Sequence, residues 1–227
     1  MNNIAVFAIF SASALLLSIA LYIDTTSWWI RSLANKDNIG LYISRSNIYL
    51  YGGRFFSLLF VVLLSFSIET GLSPAQVALC CFFTFSLCTL LHLTCAVRNF
   101  DDSHIISLLA RALILPKRHP FTANNLSYFF NARLFYSTTF ATFAFSVGSG
   151  APLLLASIFI DYRLSMANIG QLINSLGMLS LLFFVDQSLF KSLDSGLIII
   201  DVKTYTYGRI LGFIISALLY FVIFWII

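Results

Sequence analysis

Six apolar stretches, each close to the twenty or so residues that a bilayer core requires, leave this chain few folds to choose from. They are Ile4–Ile23, Ile48–Ile68, Ala75–Val97, Leu134–Ile160, Ile169–Val185 and Ile210–Ile227, with the fifth slightly short. In hydrocarbon every backbone N–H and C=O must find its partner inside the chain, and uninterrupted apolar runs satisfy that demand as helices. Composition agrees: 10% of the residues are charged, against about 25% in a soluble domain. The sequence therefore predicts an all-α integral membrane protein with six transmembrane helices, one polytopic domain over residues 1–227. The first stretch lacks a basic leading region and runs past Ile23, which suits a spanning helix better than a cleaved signal peptide.

The one long connection, Arg98 to Arg133, divides the chain into residues 1–97, 98–133 and 134–227. Within it His104–Leu115 is amphipathic and stops at Pro116, predicting an interfacial helix on the membrane surface. Lys117, Arg118, His119 and Pro120 then read as exposed loop. Of the 13 Lys and Arg residues, all but Arg54, which lies inside the second span on the same side, and Arg163 belong to the first, third and fifth connections or their span edges. The positive-inside rule makes those connections cytoplasmic and places both termini outside.

Three spans precede the long loop and three follow it, so related halves would be oppositely oriented. Leu21-Tyr22-Ile23-Asp24 and Ile158-Phe159-Ile160-Asp161 close the first and fourth spans. Ser44-x-x-Asn47-Ile48 and Ser165-x-x-Asn168-Ile169 open the second and fifth, and each later carries Ser-Leu-Leu-Phe. These matches suggest two inverted three-helix repeats, a plan in which transporters hold cargo between the halves. In the fourth span Gly148, Gly150 and Pro152 weaken the helical ladder, and a break there is about as expected as a tolerated proline.

Arg54 is the sharpest single residue. It interrupts an apolar run, and a guanidinium at a membrane helix centre costs roughly 2.5–3.5 kcal/mol on insertion scales, so such groups usually face water or a polar partner. Ser44, Asn47, Tyr51 and Arg54 share one helix face. A second stripe carries Asn168, Gln171 and Ser175, with Asn174 beside it and Asp186 at the end. Asp24 and Arg31 close the first span, and Arg209 opens the last. Polar side chains in membrane helices also simply bond across helices, at about 0.6 kcal/mol on average, and terminal Arg and Lys snorkel.

Other chemistries find little purchase. Cys80, Cys81, Cys88 and Cys95 lie in one apolar segment and read as small packing residues, and the three His are scattered, so no metal or other cofactor is expected. No HExxH, GxSxG or paired-aspartate motif marks a membrane enzyme. The basic residues form no single patch for nucleic acid.

The same polar positions resemble the Amj family, described as an alternative to MurJ and implicated in flipping lipid II across the bacterial cytoplasmic membrane. Ile23-Asp24-Thr25 with Arg31 is similar to its early Asp-Thr…Arg signature, with Trp28 where the family has a tyrosine. Ser44, Asn47 and Arg54 resemble its Ser-x-x-Asn-x6-Arg pattern. Ile173-Asn174 with Phe184-Val185-Asp186 resembles its Ile-Asn-Gly…Phe-Val-Asp-Pro block, and Gly208-Arg209-Ile210-Leu211-Gly212 the opening of its last helix. Ser175 and Gln187 depart from that block, and the loop 98–133 is uncovered.

The resemblance implies a non-enzymatic flippase for lipid II, an undecaprenyl-diphosphate-linked glycopeptide used in peptidoglycan synthesis. It implies membrane lipids and the cell-wall synthesis machinery as partners. Alternatives are a flippase for another polyprenyl-linked glycan, or a non-transporting assembly or scaffold subunit whose polar stripes are helix contacts. On the flippase reading, Arg54 with Arg31 or Arg209 engages the diphosphate, because the planar guanidinium donates paired charged hydrogen bonds. Asn47, Gln171 and Asn174 line the path for glycan or peptide. Asp24 and Asp186 either pair with the arginines in the empty state or carry a coupled proton.

Overall fold

The computed structural model describes residues 3–34, 37–96, 104–116 and 130–227, all helix, turn or connection without strands. Eight helices follow in order: α1 (Asn3–Arg31), α2 (Ile39–Glu69), α3 (Pro74–Ala96), α4 (His104–Ala112), α5 (Ala132–Ile158), α6 (Arg163–Ser180), α7 (Gln187–Ser195) and α8 (Ile198–Ile226). A π-helical turn, Leu181–Asp186, joins α6 to α7 in one long rod. Six helical segments are long and apolar enough to cross a membrane, as the sequence predicts.

The boundaries differ instructively from the apolar stretches. α1 runs on to Arg31, α8 starts twelve positions before Ile210, and the fifth crossing extends to Ser195. Asp24 and Arg209, expected at span edges, are therefore inside helices, while Arg31 is the last residue of α1. Hydroxyl side chains are satisfied locally: Thr26 and Ser27 within α1, and Ser32 just past its end, each donate to a carbonyl three or four residues back. α5 is continuous through Pro152, so the contemplated break does not occur.

Helix ends obey local chemistry. Ser73 and Gln76 form a reciprocal capping box ahead of α3, with Pro74 in its first turn. Asn131 caps α5 by accepting from the Leu134 N–H at 3.1 Å. Gly196, at φ 79°, ends α7 in the left-handed conformation that a Cβ disfavours. α4 coincides with the predicted interfacial helix; Ile106 is buried while Ile105 and Leu108 are exposed. The loop residues Lys117–Pro120 lie outside the described residues.

Packing repeats in the two halves. α1 packs on both α2 and α3, and α5 packs likewise on the α6 rod and α8. α3 and α8 meet each other across the middle. Exchanging the first three crossings for the last three thus reproduces the main contacts, the pattern that inverted repeats would give. α2 leans chiefly on α1 and the α6 rod on α5, with no substantial interface between α2 and α6. Small residues set the close approaches: a Cβ on Gly212 of α8 would come within 2.7 Å of Thr142 Cβ on α5.

Two apolar cores stack along the bundle. One holds Leu17, Leu21, Phe60, Leu64, Cys81, Phe85, Phe213 and Tyr220. The other, towards the basic end, holds Trp28, Trp29, Tyr42, Leu134, Val202 and Tyr205. Between them each helix changes character, and Asp24 and Thr25, Arg54, His92, Thr142 and Arg209 fall in this interval. A polar layer thus interrupts the hydrophobic interior.

Candidate functional site

The layer is organised by one buried ion pair. Arg209, 3% exposed, donates through Nη1 to Asp24 Oδ2 and to the Tyr205 hydroxyl at 2.6 Å. The guanidinium also lies 5.4 Å from the Phe213 ring centre. Among the described residues its Nε–H has no hydrogen-bond partner. The Gly208 and Gly212 pair lets α8 approach α5 closely on either side of this arginine.

Next to it stands His92. The Cys88 carbonyl can only accept, so the bond at 2.7 Å places a proton on His92 Nδ1, and the Thr25 hydroxyl bonds Nε2 at 2.8 Å. His92 is fully buried. His92 is not among the residues the sequence singles out, yet it stands four residues after Cys88 beside the stripe of Cys81, Cys88 and Cys95. An ionisable group on an intramembrane helix was the available signal. Tyr205 carries no such signal.

Arg31 is committed elsewhere. Buried at 5% exposure, it donates from Nε to Ser46 Oγ and from Nη2 to Asn47 Oδ1, both at 2.8 Å, and stacks 4.3 Å above the Trp28 ring. Asp186 and Asp24 act on it electrostatically. Arg31 and Asn47 thus fasten α1 to α2 near the basic end, and neither lines the cavities described next. Asp186 ends the π-helical turn beside this cluster. The Gln171 side chain lies outside the described residues.

Arg54 is placed differently. It stands fifteen residues from Ile39 and fifteen from Glu69, the two ends of α2, so about 22 Å from either end at 1.5 Å per residue. Among the described residues its guanidinium has no hydrogen bond or ion pair, only the Tyr51 ring at 5.4 Å. It opens onto a cavity of about 460 Å³ shared with Asp24, Arg209, Gly53, Thr142, Met178 and Leu181. Two arginines and one carboxylate leave the walls with one excess positive charge.

A second cavity of about 460 Å³ continues toward the Glu69 end of α2, with Ser57, Leu58 and Phe145 in both linings. Its polar walls include Ser65, Ser149, Asn174, Arg163 and Glu69. The two form one groove along α2, walled opposite by α5 and α6. Because α2 and α6 share no substantial interface, the groove can open sideways between them. Of the sequence candidates the groove gathers Asp24, Arg54, Arg209 and Asn174.

Chemically, the first cavity suits an anion. Arg54, an exposed residue, has no counter-charge bonded to it among the described residues, and its planar guanidinium can donate paired hydrogen bonds to carboxylate or phosphate oxygens. Among the described residues no cluster of His, Cys, Asp or Glu could hold a metal ion.

Fold and site together define a multi-pass α-helical membrane protein with a buried arginine, Arg209, paired to the part-exposed Asp24 within its helices. No family model, curated protein or solved structure matches the chain.

Proposed function

We propose that this protein is a flippase that moves lipid II, an undecaprenyl-diphosphate-linked precursor, across the bacterial cytoplasmic membrane, with the basic ends of its helices in the cytoplasm. The observation that carries the reading is Arg54, mid-way along a membrane helix, without a carboxylate partner and open to a groove. A scaffold helix would tie such an arginine to carbonyls or to Asp186, and it is bonded to neither.

In this scheme the prenyl tail stays in lipid and passes between α2 and α6, while the headgroup travels in the groove. Arg54 meets the diphosphate from one wall. Arg209, held by Asp24 in the empty state, meets it from the other when the anion competes for its Nη and unsatisfied Nε donors. Arg31 serves by fixing α1 against α2 rather than by touching cargo. Alternating exposure of two similarly packed halves would then present the site to the far side.

The test is cell growth and externally accessible lipid II after depletion of other flippases. Arg54→Leu should abolish both while expression persists. Arg54→Lys should fall well below wild type, because an ammonium lacks the paired donor geometry. Unimpaired surface lipid II in Arg54→Leu would remove the central claim.

A further inference from the structure

We infer that the groove is gated: it is open at the Glu69 end and shut at the basic end by a plug of Trp28, Arg31 and Phe190, which parts when the α6 rod bends at its π-helical turn. The inference concerns the groove alone and stands or falls apart from the identity of any cargo.

The two ends of the groove differ. Towards one side its lining reaches Glu69, the exposed last residue of α2, and Arg163, the first of α6. Towards the other it stops inside the bundle. Leu50, Thr142 and Arg209 are the lining residues nearest the basic ends of α2, α5 and α8, and they stand eleven, ten and eleven residues from Ile39, Ala132 and Ile198. At 1.5 Å per residue that leaves about 15 Å of protein between the groove and the basic side. Trp29, Tyr42, Val185, Leu189 and Tyr205, all buried, pack within it.

Along the groove α2 and α6 stand apart, but at the basic end a side chain from α1 joins α2 to the rod. Arg31 donates to Ser46 and Asn47 on α2, and its guanidinium lies 5.8 Å from the Phe190 ring centre on α7. Trp28 completes the plug: its ring stacks on the guanidinium and meets Phe190 edge-on, with ring centres 5.1 Å apart. Phe190 is 39% exposed, so it can draw away without leaving a cavity in the core.

The hinge falls between wall and plug. Leu181, the rod's last lining residue, begins the π-helical turn that ends at Asp186, and Phe190 follows four residues later. Such turns are rare, and helices kink at them. This one joins two parts of the rod with different neighbours: α6 packs on α5, while α7 is tied to α8 by the hydrogen bond from Ser192 to Asp201.

The experiment places Ser57→Cys, on the shared wall of both cavities, in the full chain freed of its other cysteines. Sealed membrane vesicles of both orientations are treated with a small membrane-impermeant thiol reagent. Lys191→Cys, exposed at the basic end, reports which face a vesicle presents. Ser57→Cys should react about 10-fold faster from the Glu69 side, the ratio given by a plug shut in about ten molecules for each one open. Adding Asn47→Leu, which removes an acceptor of Arg31, or separately Phe190→Ala, should move that ratio to about 1:1. The basic-side rate should then rise about 5-fold and the Glu69-side rate fall by about half. Ser18→Cys, fully buried, should stay unreactive in both variants. Equal rates from the two sides of the parent, zero included, would overturn the gate because the groove would not be open at one end alone. A basic-side gain with an unchanged Glu69-side rate would overturn it by showing a hole in a static wall. No change in either variant, or reaction at Ser18→Cys, would equally overturn it, since these side chains would then close nothing or hold the whole bundle.

Discussion

Asp24→Leu should be the most informative single replacement in the polar layer, because it separates burial from pairing. The Arg209 side chain is 4% exposed and that of Asp24 is 30% exposed. Removing the acid strands a guanidinium that water cannot reach, with only the Tyr205 hydroxyl left. Breaking a buried pair in this way costs about 3–5 kcal/mol, and the exposure of Asp24 argues for the lower end, about 3 kcal/mol. At roughly 2–4 °C per kcal/mol for a chain of this size, the midpoint of thermal unfolding should fall about 6–12 °C. Arg209→Met is the contrasting case. It leaves a carboxylate already part-open to the cavity and keeps much of the buried stem, so the loss should be about 1 kcal/mol. Combining Asp24→Leu with Arg209→Met removes both charges and should return stability to within about 1 kcal/mol of wild type. The assay is unfolding of the four purified proteins in one detergent, read as a double-mutant cycle. Equal single losses, or a double variant that loses the sum of the two, would refute the claim that Arg209 depends on this carboxylate for its burial.

Arg31→Lys should lose about 1–3 kcal/mol in the same unfolding assay, since an ammonium cannot bond Ser46 and Asn47 from one plane while stacking on Trp28. Gly212→Ala should cost about 1–3 kcal/mol, because its Cβ would meet Thr142 Cβ at 2.7 Å and Thr139 O at 2.9 Å. Gly40→Ala has nothing within 4 Å and should be neutral or gain about 0.5–1 kcal/mol. In a cysteine-free background, Ser57→Cys should react with a small charged thiol reagent while Ser18→Cys, fully buried, should not; equal protection of the two would mean that the groove is dry.

The crossings, the surface helix and the stripe that carries Arg54 were legible because each is written in local periodicity. Length and hydropathy decide a membrane helix almost alone, and His104–Ala112 shows its two faces within nine residues. What a stripe cannot state is which of its members is used up. Asn47 and Arg54 share a face of α2, yet Asn47 is bound by Arg31 and Arg54 is left open. That difference is decided across helices. Asp24 meets Arg209 over a gap of 185 residues, and Thr25 meets His92 over 67. Hydropathy also misplaced the ends of α1 and α8, since a charged residue lowers the local average whether it faces water or a partner.

Those pairings explain why the groove lies where it does. Several polar residues of α1, α3, α5 and α8 bond one another: Thr25 with His92, Asp24 with Arg209, Thr139 with the Gly208 carbonyl. α2 and α6, each attached mainly to one neighbour, face each other with Arg54 and Asn174 unspent. A bundle built only for stability would close α2 onto α6 and pair or delete those groups, because insertion penalises an unpartnered guanidinium and packing would recover dispersion energy. Keeping the two helices apart, with a cation on one and an orphaned amide on the other, makes sense when something polar passes between them.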